Sequence, residues 1–154
     1  MVKEGEKAPE FRLPADDGSE IALADLQGKA VVLYFFPKAL TTGCINEAQE
    51  FRDIEPQFKK SNGVILGCSA DSVPTQAKFV EKYKLNFRLL SDPQFQAIEA
   101  YGARRMKKFL GKSFLGIVRS TYLISPDGRL ARIWEKAPSK GHALEVLEAL
   151  KQLS

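Results

Sequence analysis

The sequence predicts an α/β fold with a central mixed sheet flanked by helices, and three observations carry that expectation. Two nearly uniform apolar runs, AVVLYFF at 30–36 and VILGCSA at 64–70, enclose a long mixed stretch with helical spacing, and two later apolar segments flank a tight-turn dipeptide. Strands that are apolar throughout are those buried on both faces, and a helical crossover between two of them implies parallel pairing. Helices are therefore expected on both faces of the sheet.

In chain order, FRLPADDGSEIAL (11–23) reads as a small hairpin turned at Asp17-Gly18. AVVLYFF is the first central strand. From Thr41 to Lys59, apolar Ala48, Phe51, Ile54 and Phe58 recur three or four residues apart, which places them on one face of an amphipathic helix. VILGCSA is the second strand, and 74–84 the second helix. STYLISP (120–126) and LARIWEK (130–136) flank Asp127-Gly128, where glycine supplies the positive φ of a tight hairpin, so this pair is antiparallel. Gly141 precedes HALEVLEALKQL, whose Leu144, Leu147 and Leu150 predict a closing helix packed on the sheet. No repeat or linker interrupts the chain, and 154 residues with 44% hydrophobic content suit one domain over 1–154.

The N-terminus, MVKEGEKAPE, lacks the apolar run of a signal peptide, and AVVLYFF is far too short to span a bilayer. A soluble, cytoplasmic protein with no membrane partner is expected. Two cysteines in a chain of this size do not make a disulfide framework, so each thiol is a candidate for reactivity. Net charge is +4, scattered except for Arg104, Arg105, Lys107, Lys108 and Lys112. That run reads as a solvated, mobile surface segment, too short and without the interleaved aromatics of a nucleic-acid groove; its other reading is a dock for an acidic partner protein. One histidine, His142, and two separated cysteines supply no metal-ligand cluster, and no cofactor is expected. His142 reads as a helix-start residue rather than a base.

The chemistry concentrates in Pro37-Lys38-Ala39-Leu40-Thr41-Thr42-Gly43-Cys44, which begins where a strand ends and finishes in the first turn of a helix. A cysteine there sits among unpaired backbone N–H donors at the positive end of the helix dipole, and both favour thiolate over thiol. Thr41 is placed to cap the helix and to turn its hydroxyl toward the sulfur or a ligand. Gly43 lets a ligand approach the backbone, and Pro37 ends the strand and shields the pocket from water.

Pro37, Thr41 and Cys44 together form PxxxTxxC, and with LYFFPK, EFRD (50–53), LLSDP (89–93), AYG (100–102), GIVRSTYLI (116–124) and GHALEVL (141–147) the chain resembles the peroxiredoxins, most closely the peroxiredoxin Q or bacterioferritin comigratory group. The resemblance implies a thioredoxin-like fold with an N-terminal β-hairpin extension. It also implies reduction of hydrogen peroxide and organic hydroperoxides by a peroxidatic Cys44 that cycles through sulfenic acid. It further assigns Arg119 as a cation beside Cys44 that joins Thr41 and Gly43 in holding the peroxide, with Glu47 fixing the local polar network.

This sequence departs from the group at Gln49, where a resolving cysteine is common, and at Ala39, Thr42 and Ile45 around the pocket. Cys68, the remaining thiol, is placed toward the same edge of the sheet as Cys44 and is the other candidate resolving residue, although a small buried apolar role suits it better. A one-cysteine cycle in a monomer is therefore expected, with a thioredoxin-type protein or a small-molecule thiol as reductant. The competing readings are a redox sensor or holdase-like binding protein, and a dithiol oxidoreductase, for which Thr41 stands where the first cysteine of C-x-x-C belongs.

Overall fold

The computed structural model describes residues 2–153. Strands β1 (Arg12–Pro14) and β2 (Glu20–Ala22) form the N-terminal hairpin, turned at Asp17-Gly18 with Gly18 at φ 84°. Buried Asp16 fastens this hairpin to the sheet: its carboxylate accepts from the Leu89 N–H and the Arg88 guanidinium, each at 2.9 Å.

The main chain then lays down β3 (Ala30–Phe35), α1 (Thr42–Lys60), β4 (Gly63–Ser69), α2 (Val73–Tyr83), β5 (Arg88–Ser91), the short α3 (Gln96–Ala100), β6 (Arg104–Phe109), β7 (Lys112–Ile117), β8 (Ser120–Ile124), β9 (Leu130–Trp134) and α4 (His142–Lys151). The central sheet has the order β5-β4-β3-β8-β9. Its β3, β4 and β5 are parallel, whereas β8 and β9 run antiparallel, turning at Asp127-Gly128 as expected. Every residue of β3 is buried, which is why the run shows no alternation.

Side-chain parity divides the core. Val32, Tyr34 and Phe36 face α1, α2 and α4, while Val31, Leu33 and Phe35 face the other way. The expectation of helices on both faces is only half met: the second face is covered by five-residue α3 together with the N-terminal hairpin and its flanks. Ala48, Phe51 and Phe58 of α1 are buried and Ile54 partly so, as their spacing requires. In α4 the buried face is Ala143, Val146, Leu147 and Leu150, and Leu144 is exposed. A strict three-residue step rotates about 60° backward at each repeat of a 3.6-residue helix, so 144, 147 and 150 do not share a face.

Helix α1 contains Pro56, which has no N–H to give the Arg52 carbonyl. Asn86 supplies the missing donor, its Nδ2 reaching Arg52 O at 3.1 Å. The basic run is no loose segment: β6 and β7 pair over six residues each, from Arg104 opposite Ile117 to Phe109 opposite Lys112. Lys107 donates to Ile117 O and Arg104 pairs with Glu99, so these two charges are built into the hairpin, while Lys108 and Lys112 stay exposed.

Candidate active site

The loop from β3 to α1 is pinned at its middle. The Ala39 N–H donates to Asp71 Oδ2 at 2.8 Å, and that oxygen also accepts from Ser69 Oγ at the end of β4. Thr41 is the N-cap by position, but its hydroxyl makes no capping bond to the helix. It donates to Lys38 O at 2.7 Å, closing a turn within the loop, which corrects the expected role.

Cys44 occupies the third position of α1, buried at 2% exposure. Arg119, in the link between β7 and β8, donates from Nη2 to the Cys44 sulfur at 3.5 Å and from Nη1 to Glu47 Oε1 at 2.8 Å. The two α1 residues lie one turn apart, so a single guanidinium spans both. Gly43 makes room for it: a Cβ at this position would lie 3.0 Å from Arg119 Nη2. The close approach that Gly43 permits in this structure is therefore Arg119's.

Glu47 is 1% exposed, and its Oε2 has no hydrogen-bond partner among the described residues. Burial pushes its carboxyl up to about 7, with the Arg119 charge opposing the rise. A raised carboxyl pKa stabilises the fold below the unfolded value near 4.5, and that contribution is lost as pH rises toward and through about 7. His142 acts in the opposite sense, since burial lowers its pKa and stability falls as pH drops below 6.5. Glu47→Gln keeps the shape and removes only the first titration. The denaturation midpoint of wild type relative to this variant should therefore fall between pH 5 and pH 8. A constant difference across that range would show that Glu47 does not change charge there.

Pro37 is half-buried at the strand end. His142 starts α4 and is fully enclosed, its Nε2 against Thr121 Oγ1 at 2.9 Å and its Nδ1 against Glu145 at 3.1 Å, so it ties helix to sheet away from the sulfur. Cys68 does not join the site. It packs with Leu66 and Leu90 on the sheet face opposite Cys44, and burial drives its thiol well above the ordinary range. The same-edge expectation holds along the strands but ignored parity: 68 follows 66, not 65, in facing away from α1.

Three participants were not assigned to the site from the sequence. Asp71 holds the loop, Tyr34 of β3 stacks on Phe51 at 4.8 Å, and Lys107 has its pKa lowered by burial and then by the Arg119 charge. Only Lys107 stood in a segment already marked by its charge.

A thioredoxin-like sheet that presents a buried cysteine at a helix start, beside an arginine it shares with a glutamate, defines the peroxiredoxin class of thiol peroxidases. The AhpC/TSA family model matches residues 4–133, and the chain belongs to that family. It is 43% identical over 153 residues to peroxiredoxin Bcp of Bacillus subtilis, covering 99% of this chain and 98% of the relative. Peroxiredoxin Bcp of Escherichia coli is 40% identical over 151 residues, covering 98% and 97%. Among solved structures, a cysteine-to-serine mutant of Xanthomonas campestris peroxiredoxin Q superposes with TM-score 0.92 at 35% identity, covering 99% of this chain and 100% of the other. The bacterioferritin comigratory protein of the same organism, studied for alkyl peroxide reduction, matches with TM-score 0.91 at 35% identity, covering 97% and 98%. The chain is a thiol-dependent peroxidase of thioredoxin fold.

Proposed function

We propose that Cys44 is the peroxidatic thiol and that the cycle needs no second cysteine of this chain. The observation that carries the assignment is the Cys44 sulfur at the first turn of α1 with Arg119 at 3.5 Å. The thiolate attacks one peroxide oxygen, the O–O bond breaks, and the displaced hydroxide or alkoxide takes a proton, leaving Cys44 as sulfenic acid. Arg119 and the free N–H groups of the first helical turn, Gly43 among them, stabilise the charge that moves onto the leaving oxygen. With its proton given to Lys38 O, the Thr41 oxygen is left to accept from the hydroperoxide O–H. Pro37 helps keep water out. A first external thiol forms a mixed disulfide with release of water, and a second restores Cys44. Either a small-molecule thiol or a thioredoxin-type protein serves that chemistry.

Two facts support the one-cysteine cycle. Gln49 stands five residues after Cys44 on α1, and Cys68 lies across the sheet. A sulfenic acid with no neighbouring thiol persists long enough to meet a second peroxide. With excess hydroperoxide and scarce thiol, the intact protein should gain a second and third oxygen at Cys44 and lose activity in step. Gln49→Cys should slow that loss. Survival of repeated peroxide pulses without mass gain at Cys44 would show that a resolving thiol exists.

A further inference from the structure

Hairpin β6–β7 has features that the peroxidase reading leaves unused. Residues 104–117 contain five cations and no acidic residue. Taking those five from the chain's 23 leaves 18 cations against 19 acidic side chains, so the whole positive excess resides in this hairpin. Its apex is apolar: Phe109 is 67% and Leu110 87% exposed, and Met106, Phe114 and Leu115 are exposed behind them. Lys108 and Lys112 flank the apex and have no ion-pair partner among the described residues. The turn residues Leu110 and Gly111 both have positive φ, 52° and 79°. Asparagine or glycine fits the first of these positions with less strain than leucine does.

We propose that this hairpin tip docks the protein on an anionic lipid surface. A convex apolar apex ringed by lysines matches the gradient from acyl chains to phosphates at such a surface, and the headgroup layer admits it without a complementary pocket. A second copy of the chain is disfavoured, because pairing hairpins would bring like charges together. Among the described residues no helix is long and apolar enough to cross a membrane, so the attachment is peripheral. Strand β7 ends two residues before Arg119, so the base of the docking hairpin adjoins the segment that carries the site's cation.

The inference goes beyond the peroxidase reading and is tested without peroxide. The full-length protein is sedimented with phosphatidylcholine vesicles, with and without about one third phosphatidylglycerol, at low and high salt. Binding to the anionic vesicles should exceed binding to neutral ones by about tenfold or more and fall steeply with salt. Leu110→Asn suits the positive-φ turn and should weaken binding about fivefold, through loss of one apolar anchor. Replacing Lys108 and Lys112 together by Gln should weaken it roughly twentyfold. Hydrogen peroxide turnover of these variants stays at the wild-type level, which shows that they fold. Absence of binding to anionic vesicles overturns the proposal. So does binding that ignores Leu110→Asn and is displaced by heparin, which marks a polyanion patch. A dimer in sedimentation velocity that the hairpin variants dissociate, with vesicle binding unchanged, would assign the surface to a second copy.

Discussion

Cys44→Ser is expected to reduce hydroperoxide turnover to background, a loss on the order of 10⁴-fold or more, because a serine hydroxyl is not ionised near neutral pH and cannot replace the attacking thiolate. Cys68→Ser should keep activity within about twofold of wild type per folded molecule, since its sulfur lies on the far face of the sheet among Leu66, Leu90 and Tyr101. Its effect should appear instead in stability, at roughly 1–3 kcal/mol, from placing a hydroxyl where an apolar thiol is enclosed. The measurement is peroxide consumption with dithiothreitol beside urea denaturation of both variants. Equal activity losses in the two would mean that Cys68 takes part in the cycle, and the one-cysteine reading would fail.

Arg119→Met should lower kcat/KM by about 10²- to 10³-fold, the cost of removing one preorganised donor from a developing oxyanion. The same variant should alkylate more slowly with iodoacetamide at pH 7, since the sulfur loses the Nη2 donor that lies 3.5 Å away. Arg119→Lys should recover only part of either loss, because one ammonium cannot hold the spacing that places Nη1 on Glu47 and Nη2 on Cys44. Loss of Arg119 also leaves Glu47 buried without its partner, so Arg119→Met combined with Glu47→Gln separates the two effects. If the double variant regains activity and alkylation rate, Arg119 acts only by neutralising Glu47. If alkylation of the single variant equals wild type, the Arg119 contact does not govern the reactivity of the sulfur.

Wherever the signal is local, the sequence by itself determined the outcome. Unbroken apolar runs marked β3 and β4 because both faces of those strands are buried, and Asp-Gly marked two turns because glycine's freedom at positive φ acts within a few residues. The strand end followed by PxxxTxxC placed Cys44 in the first turn of a helix, among backbone N–H groups that the helix itself leaves unpaired. Tertiary structure decided everything that depends on contact between distant segments. Thr41 turns to Lys38 rather than to the helix, in a loop whose shape is set by Asp71, 32 residues beyond Ala39. Arg119 reaches Cys44 across 75 residues, and only the packed sheet shows that Gly43 yields it the space. Asn86 serves the carbonyl that Pro56 orphans, Leu144 drifts off the buried face of α4, and the basic run becomes a hairpin whose Lys107 bonds back to the Ile117 carbonyl. Cys68 is the sharpest case: the run VILGCSA is apolar on both sides, so composition carries no information about which way residue 68 points. That direction is fixed by its register beside Phe35 and by which sheet face α1 covers, and both are properties of the assembled sheet rather than of any segment of the chain.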